Sequence, residues 1–146
     1  MSNQVIDWLE SQQDNMLDLL GELVNIDSNS FDKAGVDRVA NRLAEFFDAQ
    51  SIPHETIPIT THGDAMRAVV AGGNGNRPIL LCGHRDTVFP TGEVEKRPFR
   101  IENGRAYGPG VADMKPGLVI NAFILAAFQK FGGHPNPLVG LFTGDE

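Results

Sequence analysis

Pro78-Ile79-Leu80-Leu81-Cys82-Gly83-His84-Arg85-Asp86 is an unbroken apolar run that ends in an imidazole, a guanidinium and a carboxylate. Entered from the turn Gly72-Gly73-Asn74-Gly75-Asn76, it reads as a strand covered on both faces and central in its sheet. Downstream, Lys115 to Phe131 is apolar almost all round, which predicts a buried helix, and Gly132-Gly133 ends it. Pro137 to Thr143 reads as a second central strand. A strand, a long helix and another strand imply a right-handed crossover and parallel pairing. In such sheets ligands collect beyond the carboxyl ends of the strands. His84, Asp86 and Glu146 fall at those ends, and Asp113 lies just ahead of the helix.

Upstream, Val5, Trp8, Leu9, Met16, Leu19, Leu20, Leu23 and Val24 recur at three- and four-residue spacings, predicting an amphipathic helix from about Gln4 to Ile26. A polar loop, Asp27 to Gly35, leads to a second helical pattern carrying Val36, Val39, Ala40, Leu43, Phe46 and Phe47 on one side. Ile52 to Ile59 contains Pro53 and Pro58 and so suits only an edge strand, with Ala65 to Ala71 as a better strand after it. Phe89 to Tyr107, interrupted by Pro90, Pro98 and Gly104, reads as an irregular excursion with a short hairpin that lines the site entrance. The fold class is therefore α/β, a mixed and partly parallel sheet with flanking helices.

With 146 residues, 41% of them hydrophobic, the chain can form one domain with a real core. Its net charge of −7 is interrupted by no Lys/Arg cluster, which argues against nucleic acid and anionic membrane as partners and leaves a metal cation compatible. The N-terminal residues show no leader pattern, and no apolar run approaches the ~20 residues of a membrane span. Cys82 is the only cysteine, so no internal disulfide forms, and a cytoplasmic location is expected.

His84 and Asp86 sit at i and i+2, so in extended chain they project to one side. Asp86 can then accept from one imidazole nitrogen, fixing the tautomer and presenting the other nitrogen to a metal. Asp113, among glycines, has the backbone freedom to approach cations closely, and a bridging carboxylate suits two ions about 3.5–4 Å apart. Glu146 has the chemistry of a general base, able to take a proton from water and return it to a departing amine. Each residue also has a plainer reading. The His-x-Asp triplet can be a surface loop contact, Asp113 a helix N-cap, and Glu146 a solvated chain end.

The segments Leu80-Leu81-Cys82-Gly83-His84-Arg85-Asp86-Thr87-Val88, Arg105-Ala106-Tyr107-Gly108-Pro109-Gly110-Val111-Ala112-Asp113-Met114-Lys115-Pro116-Gly117 and Leu141-Phe142-Thr143-Gly144-Asp145-Glu146 resemble, in order, the signature blocks of the cocatalytic-zinc exopeptidases and deacylases. That family includes glutamate carboxypeptidase, acetylornithine deacetylase, succinyl-diaminopimelate desuccinylase and aminoacylase. The resemblance implies that His84 ligates one zinc, Asp86 orients it, Asp113 bridges two zinc ions and Glu146 is the general base. It also implies a cis peptide at Asp113-Met114. Of five family metal ligands only His84 and Asp113 are present, and the family's lid and dimerisation domain is missing. Residues 1–146 are therefore expected to be the N-terminal part of a catalytic domain, inactive alone, from an enzyme that is a homodimer through its lid.

The expected activity is hydrolysis of peptide or N-acyl amino acid amide bonds. A glutamate-releasing exopeptidase is favoured over a deacylase because Ala106 to Asp113 looks closer to that branch. Zinc is the default metal, with cobalt or manganese admissible at a carboxylate and imidazole site. The contrasting expectation is a truncated, non-catalytic binding or dimerisation module. His54, His62 and His134 read as exposed loop histidines, Cys82 as an inert core thiol, and Lys96, Arg97 and Arg100 as a solvated basic loop. The glycines at 72, 73 and 75 precede a strand rather than a helix, so they do not form a phosphate loop.

Overall fold

The apolar spacing at the N-terminus produces two helices, α1 (Asn3–Ser11) and α2 (Gln13–Val24), instead of one. The break is local. Ser11 Oγ donates to the Trp8 carbonyl at 2.6 Å and the Gln12 amide to that of Leu9 at 3.0 Å, tightening the last turn before the helix restarts. The computed structural model describes residues 3–75 and 77–146, so Asn76 of the expected turn lies outside the described residues. Helix α3 (Lys33–Ala49) is capped by Asp32, whose carboxylate accepts from the Gly35 amide at 3.0 Å. Position 35 needs glycine, because a Cβ there would lie 2.4 Å from the Asp27 carbonyl oxygen.

Strands β1 (His54–Ile57), β2 (Gly63–Val70) and β3 (Ile79–His84) come next. The excursion that follows holds a short helix, α4 (Glu93–Lys96), and the expected hairpin of β4 (Arg100–Glu102) and β5 (Arg105–Tyr107). Helix α5 (Lys115–Phe131) then crosses to β6 (Leu138–Gly144). The main sheet has the order β1-β2-β6-β3, antiparallel except for the parallel β3/β6 pair, which is the mixed arrangement the sequence predicts. Helix α5 closes at Gly132 and Gly133, both at positive φ, with the Gly132 amide bonded to the Phe128 carbonyl at 2.8 Å.

One face of this sheet carries the core. Phe142 of β6 is fully buried, stacks at 5.6 Å from Phe47 of α3, and pairs laterally with Met66 and Gly83. Gly140 lies on the same face, where its lack of a side chain admits Leu125 of α5. Leu23, Leu43, Leu118 and Leu125 close the layer with no exposed surface, and α1 and α2 stack outside α5 through Trp8 and Phe123. The opposite face presents Leu80, Cys82 and His84 of β3, Val139, Leu141 and Thr143 of β6, and Arg67 and Val69 of β2. Among the described residues no helix covers it, and Leu80 is 54% exposed.

Four expectations are thereby corrected. Strand β3 lies at an edge of the sheet with one face bare, not in the centre with both covered. A continuous apolar run records a demand for burial on both faces, but it does not say whether the covering elements lie in the same stretch of chain. For the same reason Cys82 is exposed on the bare face and is not a core thiol. His134 is buried, with its Nδ1 2.7 Å from the Asn136 carbonyl and its ring edge-on to Phe128 at 5.1 Å, because the α5–β6 connection folds back over it. His54 lies half-buried in β1, 2.9 Å from Asp48, and His62 alone fits the loop description.

Candidate metal centre

His84 is the last residue of β3 and pairs in register with Thr143, so the parallel β3/β6 ladder carries the imidazole and the segment leading to Glu146 to the same end of the sheet. Asp113 arrives from the loop that precedes α5. Gly108 and Gly110 make that approach possible. Both have positive φ, and Cβ atoms there would come within 2.4 Å of Val24 and 2.8 Å of Thr87. The Asp113–Met114 peptide is cis, as the family resemblance implies. Met114 Sδ accepts from the His84 amide at 3.3 Å, tying this loop to the strand end.

The imidazole sits between two sets of acceptors. Nδ1 faces the backbone carbonyl and Oδ1 of Asp86, each at 3.1 Å, and so carries the proton. Nε2 faces Asp113 Oδ1 at 3.1 Å and Glu146 Oε2 at 3.6 Å. One ligand atom from each of His84, Asp113 and Glu146 lies within 4.8 Å of the others. Asp86 is buried and His84 nearly so, whereas the Asp113 and Glu146 side chains are 78% and 69% exposed. Burial of the ring works to lower the His84 pKa, but the hydrogen bond to Asp113 and the charges of Asp86 and Glu146 outweigh it and leave the value above the usual 6.5. The site therefore favours a positive charge at Nε2.

Beside these groups opens a cavity of about 300 Å³, walled mainly by Val88, Phe89, Gly110, Val111 and Ala112. The basic loop is solvated as expected. Arg97 Nε pairs with Glu93 at 2.5 Å with its guanidinium 5.1 Å from the Phe89 ring, and Arg100 lies 4.4 Å over Tyr107. Lys96 is 3.8 Å from Glu93.

Two buried cations escaped the sequence reading. Arg85 is fully buried and donates Nη1 to the Val36 carbonyl at 3.1 Å and Nε to that of Thr143 at 3.3 Å. Burial lowers its pKa to about 10 against the opposing charges of Asp37, Asp64 and Asp86. Lys115 donates Nζ to the carbonyls of Leu23 and Ile26 at 2.8 and 2.7 Å, satisfying the C-terminal end of α2, and burial lowers its pKa to about 8 against the charge of Asp27. Nothing in the local sequence distinguishes these cations from exposed ones. The loop between α2 and α3 is a further omission. Ser28, Asn29 and Ser30 zip onto Thr87, with Thr87 N–H bonding the Ser28 carbonyl at 2.7 Å and Ser30 N–H that of Thr87 at 3.1 Å.

Residues 80–146 match the profile of peptidase family M20/M25/M40. It is 30% identical over 144 residues to carboxypeptidase G2 of Pseudomonas sp. (strain RS-16), covering 92% of this chain and 33% of the relative. It is 31% identical to acetylornithine deacetylase of Proteus mirabilis (strain HI4320), covering 89% and 35%. With succinyl-diaminopimelate desuccinylase of Methylococcus capsulatus (strain ATCC 33009 / NCIMB 11132 / Bath) it shares 35% identity, covering 89% and 34%. The fold superposes on human carnosine dipeptidase 1 with a TM-score of 0.80 at 16% identity, over 97% of this chain and 34% of that one. An M20 family metallo-carboxypeptidase of Sulfolobus solfataricus gives 0.74 at 23% identity, over 88% and 30%. The chain thus spans about a third of the length of the relatives it matches. No helix of the described residues is long and apolar enough to cross a membrane.

Proposed function

We propose that the chain is the N-terminal part of the catalytic domain of a zinc-dependent hydrolase of peptide or N-acyl amino acid amide bonds, with glutamate-releasing exopeptidase chemistry favoured. The convergence of His84 Nε2, Asp113 Oδ1 and Glu146 Oε2 beside a cavity carries this reading. The His84 imidazole nitrogen and the Asp113 carboxylate are donors that suit zinc, with cobalt as an admissible substitute, and the Glu146 carboxylate lies beside them. His84 and Asp113 would hold the metal, and Asp86 would keep the His84 ring in place. When bound, the ions supply Lewis acidity to the scissile carbonyl and to the attacking water. Glu146 takes a proton from that water and returns it to the departing amine. Val88, Phe89 and Val111 wall the substrate space from one side.

Two ligands are too few for a catalytic zinc, which normally has three from protein. On this proposal residues beyond 1–146 complete both metal sites and supply the lid through which the enzyme dimerises, and the segment alone is inactive. A cytoplasmic location belongs to the same proposal. The names of two relatives favour an N-acyl amino acid deacylase as the second reading.

Calorimetric titration with zinc of a polypeptide extended to the length of the relatives tests the site. Binding is expected, with His84→Ala and Asp113→Asn each weakening it at least tenfold. Hydrolysis of N-acyl-glutamate and short peptides is expected only from a polypeptide extended to the length of the relatives, and Glu146→Gln should lower it by about 10²–10⁴. An extended polypeptide with no zinc affinity, or hydrolysis that survives Glu146→Gln, overturns the proposal.

A further inference from the structure

Asp86, which orients His84, is itself held from outside the strand. It is buried, and its two carboxylate oxygens are divided between two donors. Oδ1 accepts from His84 Nδ1 at 3.1 Å, and Oδ2 accepts from Ser30 Oγ at 2.5 Å. Among the described residues no other side chain donates to this carboxylate. Arg85, next in the chain, spends its Nε and Nη1 on the carbonyls of Thr143 and Val36. A hydroxyl has one proton, and Ser30 Oγ lies much closer to Asp86 than to its other acceptor, the Thr87 carbonyl at 3.4 Å. The proton therefore goes to Asp86.

Ser30 does not depend on this hydroxyl for its place. The backbone bonds with Thr87 and the bond from Asn29 Nδ2 to the Phe89 carbonyl, at 3.0 Å, clamp its loop to the residues that follow Asp86. We propose that Ser30 is a positioning residue of the metal centre, holding the Asp86 carboxylate in the one rotation that keeps His84 in its Nδ1–H tautomer with Nε2 directed at Asp113 and Glu146. The proposal rests on the functional reading above for its consequence, metal binding, but not for its geometry. With Ser30 Oγ gone, Oδ2 is buried without a donor and Asp86 is free to turn. The ring then keeps only the Asp86 backbone carbonyl, 3.1 Å from Nδ1, against the exposed carboxylates at Nε2, and its preference for the Nδ1–H tautomer weakens.

The test combines a metal-free measurement on the 146-residue chain with a zinc titration of the polypeptide extended to the length of the relatives, using Ser30→Ala and Ser30→Thr, with Ser30→Cys as a replacement of similar size should the alanine variant fail to fold. Long-range proton–nitrogen spectra of the His84 ring at alkaline pH report its tautomer. The native chain is expected to show one tautomer, protonated at Nδ1. Ser30→Ala should show a mixture and bind zinc about tenfold more weakly, while the Thr87 and Ser30 amides stay protected from exchange. Ser30→Thr should restore both readouts. An alanine or cysteine variant with native tautomer and native affinity overturns the proposal. So does a loss of affinity accompanied by exposed Thr87 and Ser30 amides, which would mark a loop-folding effect. If the native extended polypeptide binds no zinc, the functional reading fails, and the tautomer spectra decide the role of Ser30 alone.

Discussion

The two faces of the single sheet are built to opposite specifications. On one, Phe142, Met66, Ala68 and Leu138 meet α3 and α5 and are almost wholly buried. On the other, Leu80, Cys82, Leu141 and Val69 face no helix of the described residues, although their side chains are as apolar. The two sheet edges differ in the same way. Strand β1 is short, carries Glu55, and is flanked by Pro53 and Pro58, which protect an edge from further pairing. Strand β3 is six residues long and apolar, with Ile79 and Leu80 both about half exposed. The contrast teaches that burial is concentrated on one face of the sheet and that, among the described residues, β3 lies at its edge. The metal-centre candidate stands at the end of that edge strand, with its carboxylates exposed.

The largest expected effect lies on the buried face. Phe142→Ala should cost about 3–5 kcal/mol in urea unfolding, since the void opens between α3, α5 and the sheet. A loss below about 1 kcal/mol would mean that this face is not the core.

Lys115 gives an intermediate effect with a definite sign. Its folded pKa of about 8 lies below the ordinary 10.5, so between those values the unfolded chain binds more protons and stability rises with pH. Below about pH 8 the charge is buried at full cost, and above about pH 10.5 that cost is gone. The rise amounts to about 3 kcal/mol at most. Denaturant midpoints across this range should show it in the native chain and not in Lys115→Met; parallel curves would place the ammonium in solvent.

The smallest effect belongs to the bare face. Leu80→Ser should change stability by no more than about 0.5 kcal/mol and should reduce self-association in sedimentation. A cost comparable to that of Phe142→Ala would show that the two faces do not differ as described.

Much of this was legible locally. Helix α5 and its glycine stop, the strand character of β3 and β6, and the parallel crossover follow from side-chain periodicity and turn residues, both of which act within a few positions of themselves. The reactive groups were legible for a related reason. A carboxyl end of a strand and a glycine-rich loop ahead of a helix are places where chemistry-bearing side chains are left free. Less legible was every feature set by a remote partner. The internal cations depend on carbonyls supplied from elsewhere in the chain, and the burial of His134 on the ring of Phe128 from α5.

By itself the amino-acid sequence determined the kinds and order of the elements and the residue types able to meet a metal, because propensity and patterning are short-range. The tertiary structure alone decided that β3 is an edge strand, that Arg85 and Lys115 are interior, and that Ser30 reaches Asp86 across 56 positions of chain. Those outcomes depend on which surfaces compete for the same neighbours, and that competition is resolved only when the layers pack.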